Sequence, residues 1–295
     1  MNSCDVSDML YLDGWTGPFA VRDQEAARAA LEAGRVIVLP GLAFRTDAAE
    51  ARFLDAGAAD GSRKNISFDA ATGRCNGSGL DGDSLAALAA MMDRFGRAAD
   101  GLVRGLVPAY AASLERARTS FRPAEIGGRT TSTRHDDRRL HVDAFPSRPL
   151  RGRRILRVFT NIAADGAPRA WQVGEPFADH AARFLPRLYR PLPGKAALLD
   201  RLGITKGRRS AYDHLMLGLH DAAKRDAAYQ TTAPRADIAF PPGTTWLCFT
   251  DAVVHAVRAG HCALEQTLHL PAAAMASPGN TPLGMLERLT GRPLV

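Results

Sequence analysis

The 295-residue sequence lacks several features that would place it in a specialised class of protein. Its four cysteines form no CxxC pair, so a structural zinc site is not expected. No run of about 18 apolar residues is present, so no transmembrane helix is expected. The first residues, MNSCDVSDMLYLDGW, carry acidic side chains where a secretory signal would carry basic ones. These absences favour a protein of the reducing cytoplasm.

The balance of charge is strongly basic, with a formal net charge of +7 and a pI of about 9.6. Such a surplus indicates an anionic partner: nucleic acid, phospholipid headgroups or an acidic small molecule. Aromatic residues make up only 7% of the chain, and they are not interleaved with the basic ones. No helix-turn-helix or RNP-like pattern is present, so we expect no nucleic-acid partner. Seven arginines concentrate in one stretch: Arg138, Arg139, Arg148, Arg151, Arg153, Arg154 and Arg157.

The most informative motif is the tripeptide His141-Val142-Asp143. Side chains two residues apart on a strand point to the same face, so His141 and Asp143 can bind one metal ion together. His255, at the end of the later segment PPGTTWLCFTDAVVH, is the expected third ligand. Two histidines and one carboxylate that leave open coordination positions are the ligand set of non-haem Fe(II) oxygenases. The sequence therefore predicts an oxygen-using iron enzyme.

Other histidines compete for the third position. His269 alternates with polar residues on a predicted strand and is the main alternative ligand. His214 and His220 lie on a predicted helix, six residues apart, which places them on different faces. His135 and His180 lie in polar stretches and are expected to be exposed. We expect core or surface roles for these last four.

Iron bound by such a ligand set can accept O2 and a bidentate 2-oxo acid, usually 2-oxoglutarate, whose far carboxylate requires a cation. That cation is commonly an arginine shortly past the last histidine, where this chain has the tripeptide EQT. Arg157 is the expected substitute, because an arginine within the apolar segment RILRVFTNI is costly to bury without an anion. The alternative role for Arg157 is a salt bridge to Glu125 or Asp251. Arg258 is a second candidate anchor.

The pattern along the chain predicts an α+β fold. Apolar residues repeat every three and four positions between Leu85 and Leu106, which is typical of an amphipathic helix. TDAAEARFLDAG and AYAASLERAR predict two more helices, and short β-favouring segments follow from about residue 119. We expect one catalytic domain over 1–295, with a double-stranded β-helix (jelly-roll) core and flanking helices. Its parts are a mostly helical 1–118, a core over 119–274 with a helical insertion over 208–229, and a C-terminal helix in 275–295.

Several collinear segments together resemble the Kdo 3-hydroxylases: RKNISFD, SFRPAEIGGR, DDRRLHVDAFPSRP, GRRILRVFTNI, PRAWQVGEPF, SAYDHLMLGLHD, PPGTTWLCFTDAVVHAV and LERLTGR. The resemblance implies an Fe(II)-, 2-oxoglutarate- and O2-dependent dioxygenase of lipopolysaccharide assembly. Such enzymes hydroxylate C3 of the outer Kdo of Kdo2-lipid A, giving Ko, at the cytoplasmic face of the inner membrane without spanning it. The resemblance implies His141, Asp143 and His255 as iron ligands and, by analogy, Arg157 as the 2-oxoglutarate anchor.

A glycolipid of this kind is anionic, because it carries Kdo carboxylates and lipid A phosphates. Arginines near the mouth of the site are therefore expected to bind it, and the candidates are Arg129, Arg134, Arg139, Arg148 and Arg153. Three alternatives stay open at this point. The first is a JmjC-like hydroxylase of another substrate, and the second is a non-enzymatic, cupin-like binding protein. The third is a membrane or nucleic-acid binder that uses its arginines alone.

Overall fold

The computed structural model describes residues 9–13, 18–61, 65–127, 131–189, 192 and 194–295. Within them the strands are β1 (Leu10–Tyr11), β2 (Ile37–Leu39), β3 (Ile66–Asp69), β4 (Arg74–Asn76), β5 (Glu115–Arg122), β6 (Arg154–Asn161), β7 (Arg169–Gly174), β8 (Arg235–Phe240), β9 (Thr245–Phe249), β10 (His255–Ala259) and β11 (Ala263–Leu270). The α-helices are α1 (Val21–Glu32), α2 (Gly82–Leu106), α3 (Phe177–Phe184), α4 (Lys195–Arg201), α5 (Ala211–Arg225), α6 (Ala227–Thr232) and α7 (Pro282–Thr290).

The strands form two sheets. The large sheet has eight strands in the order β1-β2-β9-β6-β11-β5-β3-β4, and the small sheet has three in the order β10-β7-β8. All pairings are antiparallel except that of β1 with β2. The coarse expectation of a mixed α and β fold, with an antiparallel sheet and several helices, is confirmed.

One face of the large sheet packs against the helices α1 and α2. Successive side chains of a strand point to opposite faces, so alternate residues of β6, β9 and β11 reach this layer. They include Leu156, Leu247 and Leu264, each wholly buried. Helix α2 contributes its predicted apolar stripe, in which Met92 and Leu106 are also wholly buried. This layer is the main hydrophobic core, and it leaves the opposite face of the sheet free for other side chains.

The opposite face meets the small sheet through an aromatic cluster. Phe159 of β6 and Trp246 of β9 stack with ring centroids 5.4 Å apart. From the small sheet, Trp171 approaches Phe159 edge-on at 4.8 Å, and Phe240 stacks on Trp246 at 4.1 Å. These large side chains bury their apolar area at one end of the space between the sheets. The remaining space is the cavity described below.

Helices α3, α5 and α7 pack around a second apolar cluster that includes Leu140 and Val142, which flank His141. Helix α5 begins at a capping box, because the Ser210 side chain accepts from the Asp213 N–H while the Asp213 carboxylate accepts from the Ser210 N–H. Packing against this cluster fixes α5 along one side of the cavity. None of the described helices combines the length and the apolarity needed to cross a membrane.

Two predicted helices are wrong. The segment AYAASLERAR forms a short 3-10 helix, Pro108–Ser113, and then enters strand β5 at Glu115. Pairing of β5 with both β3 and β11 outweighs its helical propensity. The segment TDAAEARFLDAG forms two 3-10 turns, Glu50–Phe53 and Ala56–Ala58. Here the Asp55 carboxylate accepts the Gly57 N–H and interrupts the α-helical pattern.

Candidate metal centre

The fold brings His141, Asp143 and His255 together. The backbones of His141 and His255 exchange two hydrogen bonds of 3.0 and 2.9 Å, which join the residue before Val142 to the first residue of β10. The Asp143 N–H donates to the Thr250 carbonyl at 2.8 Å. One donor atom from each of the three side chains lies within 4.8 Å of the others. This distance suits shared coordination of a single ion.

Backbone carbonyls fix the orientation of both imidazoles. His141 Nδ1 lies 2.7 Å from the Arg139 carbonyl oxygen, and His255 Nδ1 lies 2.9 Å from that of Val253. A carbonyl can only accept, so each Nδ1 carries the proton and each Nε2 presents a lone pair. Burial lowers the pKa of both imidazoles, which keeps them in the neutral form that binds a metal. Both rings are therefore oriented as metal ligands.

The Asp143 carboxylate has two different environments. Its Oδ1 lies 3.7 Å from His141 Nε2, and its Oδ2 lies 3.3 Å from Nε of Arg157. Burial alone would raise the pKa of Asp143, but Arg157 and the two imidazoles hold the pKa well below its usual range. The carboxylate therefore stays ionised and turns Oδ1 towards the histidines. Two neutral imidazoles and one carboxylate match the donor set of Fe(II) oxygenases, so these residues fit a divalent metal.

A cavity of about 450 Å³ opens beside the three residues. Its walls come from both sheets and from α5, whose Leu217, His220 and Lys224 face it. The His220 ring meets the His141 ring edge-on, with centroids 5.3 Å apart. On the opposite side, Trp171 stacks on His255 at 5.2 Å. The site is a concave pocket of the size that takes small ligands.

Buried ion pairs line the inner part of this cavity. Arg157 Nη1 lies 2.8 Å from Glu265, and Arg122 lies 3.2 Å from the other oxygen of the same carboxylate. Arg122 also pairs with Asp137 at 3.3 Å. Glu265 of β11 thus holds one arginine from each of the strands that flank it, β5 and β6. Such pairing compensates part of the cost of removing these charges from water.

The inner cavity nevertheless has more positive than negative charge. Four largely buried cations line it: Arg122, Arg157, Arg169 and Lys224. Only three carboxylates do so: Asp137, Asp143 and Glu265. Arg169 is the exception among the cations, since its guanidinium donates to the Gly260 carbonyl and forms no ion pair with any described carboxylate. Burial, reinforced by the neighbouring Arg122, lowers the pKa of Arg169 to about 9. A divalent metal would increase the positive excess, so the cavity favours an anionic ligand.

The structure separates the predicted site residues into three groups. Arg134, Arg148 and Arg157 line the cavity. Three do not line it: Arg139 donates to the Lys224 carbonyl, Arg153 pairs with Glu115, and the exposed Arg258 donates to the Arg138 carbonyl. Arg129 lies outside the described residues. The alternative partners predicted for Arg157 are replaced by Asp143 and Glu265, while Asp251 pairs with Arg154 at 2.7 Å.

The histidines also differ from expectation in part. His180 is wholly buried, not exposed, because Tyr229 and Glu175 satisfy its Nδ1 within a ring of aromatic side chains. His269 lines the cavity, but its Nδ1 lies 3.2 Å from the Arg154 carbonyl and it is not among the three clustered donors. His220 is a cavity residue and not a general core or surface residue.

Sequence reasoning missed Arg122, Arg169, Lys224 and Glu265 as site residues. A signal existed for some of them. Arg118, Ser120 and Arg122 alternate along β5, and His220 and Lys224 are four residues apart on α5, which places them on one face. Interpreting that signal required knowledge of which face meets the metal ligands.

The family model of 3-deoxy-D-manno-oct-2-ulosonic acid (Kdo) hydroxylase matches residues 15–293. The chain belongs to the Kdo hydroxylase family. The predicted family is thus confirmed, and with it the class of dioxygenase. Comparison with curated proteins gave no match.

Solved structures of one member of the Kdo hydroxylase family are closely similar. KdoO, a non-haem Fe(II) and α-ketoglutarate-dependent dioxygenase, is 44% identical in complex with α-ketoglutarate and Fe(III), with a TM-score of 0.94 and 97% of each chain covered. Its cobalt(II) complex is 45% identical at the same TM-score and coverage. Its complex with succinate and Fe(III) is 44% identical, with a TM-score of 0.93 and the same coverage.

Proposed function

We propose that this protein hydroxylates C3 of the outer Kdo of Kdo2-lipid A, giving Ko, with Fe(II), 2-oxoglutarate and O2. The observation that carries the proposal is the buried His141, Asp143 and His255 cluster at the floor of a cation-rich cavity, in a chain of the Kdo hydroxylase family. We place this reaction in lipopolysaccharide biosynthesis at the cytoplasmic face of the inner membrane. The two sheets are interpreted as the halves of a jelly-roll core within one catalytic domain.

The three ligand residues would hold the iron through two Nε2 atoms and Asp143 Oδ1. Iron(II) bound there supplies, with O2 and a 2-oxo acid, the oxidising chemistry that converts a C–H group into C–OH. The chain's own contribution is orientation. Arg157 restrains the second oxygen of Asp143, and the backbone carbonyls restrain both imidazoles. Outer contacts of this kind commonly contribute about 10- to 100-fold to metal affinity.

The far carboxylate of 2-oxoglutarate is assigned to the group of buried guanidiniums formed by Arg122, Arg157 and Arg169. Arg157 was the residue expected from the sequence, and it remains part of this group. Arg169 strengthens the assignment, because no carboxylate of the described residues pairs with it and such a buried guanidinium gains most from an incoming anion. A dianionic co-substrate would also offset the two positive charges that a divalent metal adds. Arg258 is omitted, since it is exposed and does not line the cavity.

The sugar of the substrate is assigned to the outer part of the cavity. Arg134 and Arg148 line that part, and they remain the proposed contacts for carboxylate or phosphate groups. Arg129 stays a candidate from the sequence alone. His220 adds a polar contact, because its Nδ1 lies 2.9 Å from the Asp221 carboxylate and therefore carries the proton. Its Nε2 is then a hydrogen-bond acceptor suited to a sugar hydroxyl.

The test is anaerobic loading with Fe(II), followed by exposure to O2 with 2-oxoglutarate and Kdo2-lipid A. We expect succinate release that depends on the glycolipid, together with a product heavier by one oxygen on Kdo. His255→Ala should abolish both iron binding and succinate release. The matched control is His269→Ala, which removes another cavity histidine that is not a clustered donor. It should retain one iron per chain. Folded, iron-loaded protein that releases no glycolipid-dependent succinate would overturn the proposed function.

A further inference from the structure

Most of the protein's excess positive charge lies in one short segment. Residues 185–209, LPRLYRPLPGKAALLDRLGITKGRR, contain seven basic residues and one acidic residue. The segment therefore carries a net charge of +6, whereas the whole chain carries +7. Four of its described cations, Lys195, Arg201, Lys206 and Arg208, are exposed, and none of the four forms an ion pair with a described residue. We call residues 185–209 the basic segment.

The basic segment also holds most of the large apolar side chains that the described part of the chain exposes. Nine such side chains are known, and five of them lie here: Tyr189, Leu192, Leu198, Leu202 and Ile204. Their exposed fractions run from 56% for Leu198 to 91% for Tyr189. Leu198 and Leu202 are four residues apart and share one face at the end of α4. Exposed apolar groups concentrated in this way mark an interaction surface.

The C-terminal end of the basic segment is attached to the rim of the cavity, and its N-terminal end packs against α5, the helix that forms one cavity wall. At its C-terminal end, the Lys206 N–H donates to the Ser147 carbonyl at 2.8 Å, and the Arg209 guanidinium donates to the Pro146 carbonyl. Pro146 itself lines the cavity. At its N-terminal end, Leu188 packs against α5 so closely that a Cβ at Gly218 would lie 2.8 Å from it. The segment is thus positioned beside the cavity rim.

We propose that the basic segment docks the enzyme on a lipid bilayer with anionic headgroups, with the cavity rim towards the membrane. Exposed leucine and isoleucine side chains enter the boundary between headgroups and acyl chains, while the surrounding cations meet the headgroup charge. A protein partner would not by itself explain why so many exposed cations form no ion pair with a described residue. The inference deepens the proposed function and rests on it in one respect: a glycolipid can place its sugar in the cavity while its acyl chains stay in the bilayer.

The test is flotation with phosphatidylcholine vesicles, prepared with or without phosphatidylglycerol. The wild-type protein should bind only the vesicles that contain phosphatidylglycerol, and added salt should weaken that binding. The double variant Lys206→Ser, Arg208→Ser should bind about fivefold more weakly for each cation removed, which corresponds to the usual contribution of one basic residue near an anionic surface. The triple variant Leu198→Ser, Leu202→Ser, Ile204→Ser should bind the vesicles that contain phosphatidylglycerol much more weakly than the wild-type protein does.

The matched control is Val21→Ser, Leu289→Ser, which removes exposed apolar side chains elsewhere and should leave flotation unchanged. Equal binding of the wild-type protein and the triple variant to anionic vesicles would overturn the proposal. So would a change of oligomeric state in the triple variant, seen by light scattering, with unchanged flotation. That result would identify the segment as a contact between copies of the chain.

Activity measurements separate this proposal from the proposed function. With glycolipid dispersed in detergent, both segment variants should release succinate at the wild-type rate, because they leave the metal ligands and the cavity intact. With glycolipid embedded in anionic vesicles, their rate should fall in parallel with flotation. Normal flotation without any succinate release would contradict the proposed substrate and leave the docking surface standing.

Discussion

The two faces of the large sheet carry different kinds of side chain although the same strands supply both. Along β6 and β11, Leu156 and Leu264 face α2, whereas Arg157 and Glu265, the next residues, face the cavity. The helix-facing side is mainly apolar, and exceptions such as Gln266 and Arg116 contact α2. The cavity side is charged, with buried ion pairs and a positive excess. Side chains that stabilise the fold and side chains that form the site therefore alternate along the same strands.

The helix-facing side should dominate the stability of the fold. We expect Leu264→Ala to lower the free energy of unfolding by about 2–5 kcal/mol, because it removes a wholly buried side chain and leaves a cavity. Thr267→Ala, in the same strand but facing the cavity, should cost only about 0.5–1.5 kcal/mol. Urea unfolding of both variants measures the difference. Similar losses in the two variants would contradict the claim that the helix-facing side dominates the stability of the fold.

The cavity side should gain its stability from ligands. Co(II) and 2-oxoglutarate, each at roughly 100 times its dissociation constant, should each raise the free energy of unfolding by about 2.7 kcal/mol. Asp143→Ala should lose the cobalt increment, and Arg169→Gln should lose mainly that of 2-oxoglutarate. Leu264→Ala should lower the stability of the ligand-free protein but retain the increments from both Co(II) and 2-oxoglutarate. Thermal unfolding with and without ligands reports all of these values, and a full 2-oxoglutarate increment in Arg169→Gln would exclude Arg169 from the anchor.

The cavity side should also respond to pH. Burial, opposed by the contact with the Arg154 carbonyl, lowers the pKa of His269 to about 4 from an ordinary value of 6.5. The unfolded chain therefore binds a proton before the folded chain does, so stability is full above pH 6.5 and falls as the pH drops towards 4. His269→Gln should reduce this loss by about 1–2 kcal/mol at pH 5. Urea midpoints at pH 7 and pH 5 test this, with the exposed His135→Gln as control.

Periodicity predicted the parts of the fold that bury a simple apolar surface. The repeat between Leu85 and Leu106 identified α2, and β6 and β9 lie among the β-favouring segments expected from about residue 119. The helix expected over AYAASLERAR was wrong, since pairing with two neighbouring strands decides the conformation of β5 and its local sequence does not show those neighbours. The jelly-roll topology and the domain limits stay predictions.

For the site, residue chemistry predicted more than position did. His141, Asp143 and His255 were chosen for their ligand types, and the structure brings their donor atoms together. Arg157 was chosen because a buried arginine requires an anion, and it has two, although neither is an expected one. Arg139, Arg153 and Arg258 were chosen largely by their closeness in sequence to the metal motif, and they do not line the cavity. Charge and spacing along the chain do not determine which face of an element is turned inwards.

The sequence by itself determined the donor types, the basic balance, the resemblance to the Kdo hydroxylases and the alternation that gives each strand two faces. These are local properties, fixed by the order of residue types. Only the tertiary structure decided that Glu265 lies between Arg157 and Arg122, that Arg169 forms no ion pair with a carboxylate of the described residues, and that the basic segment borders the cavity. Each of these depends on strand register and on packing between residues distant in sequence. Contacts of that kind arise from the burial of the whole chain, and no short stretch of sequence contains them.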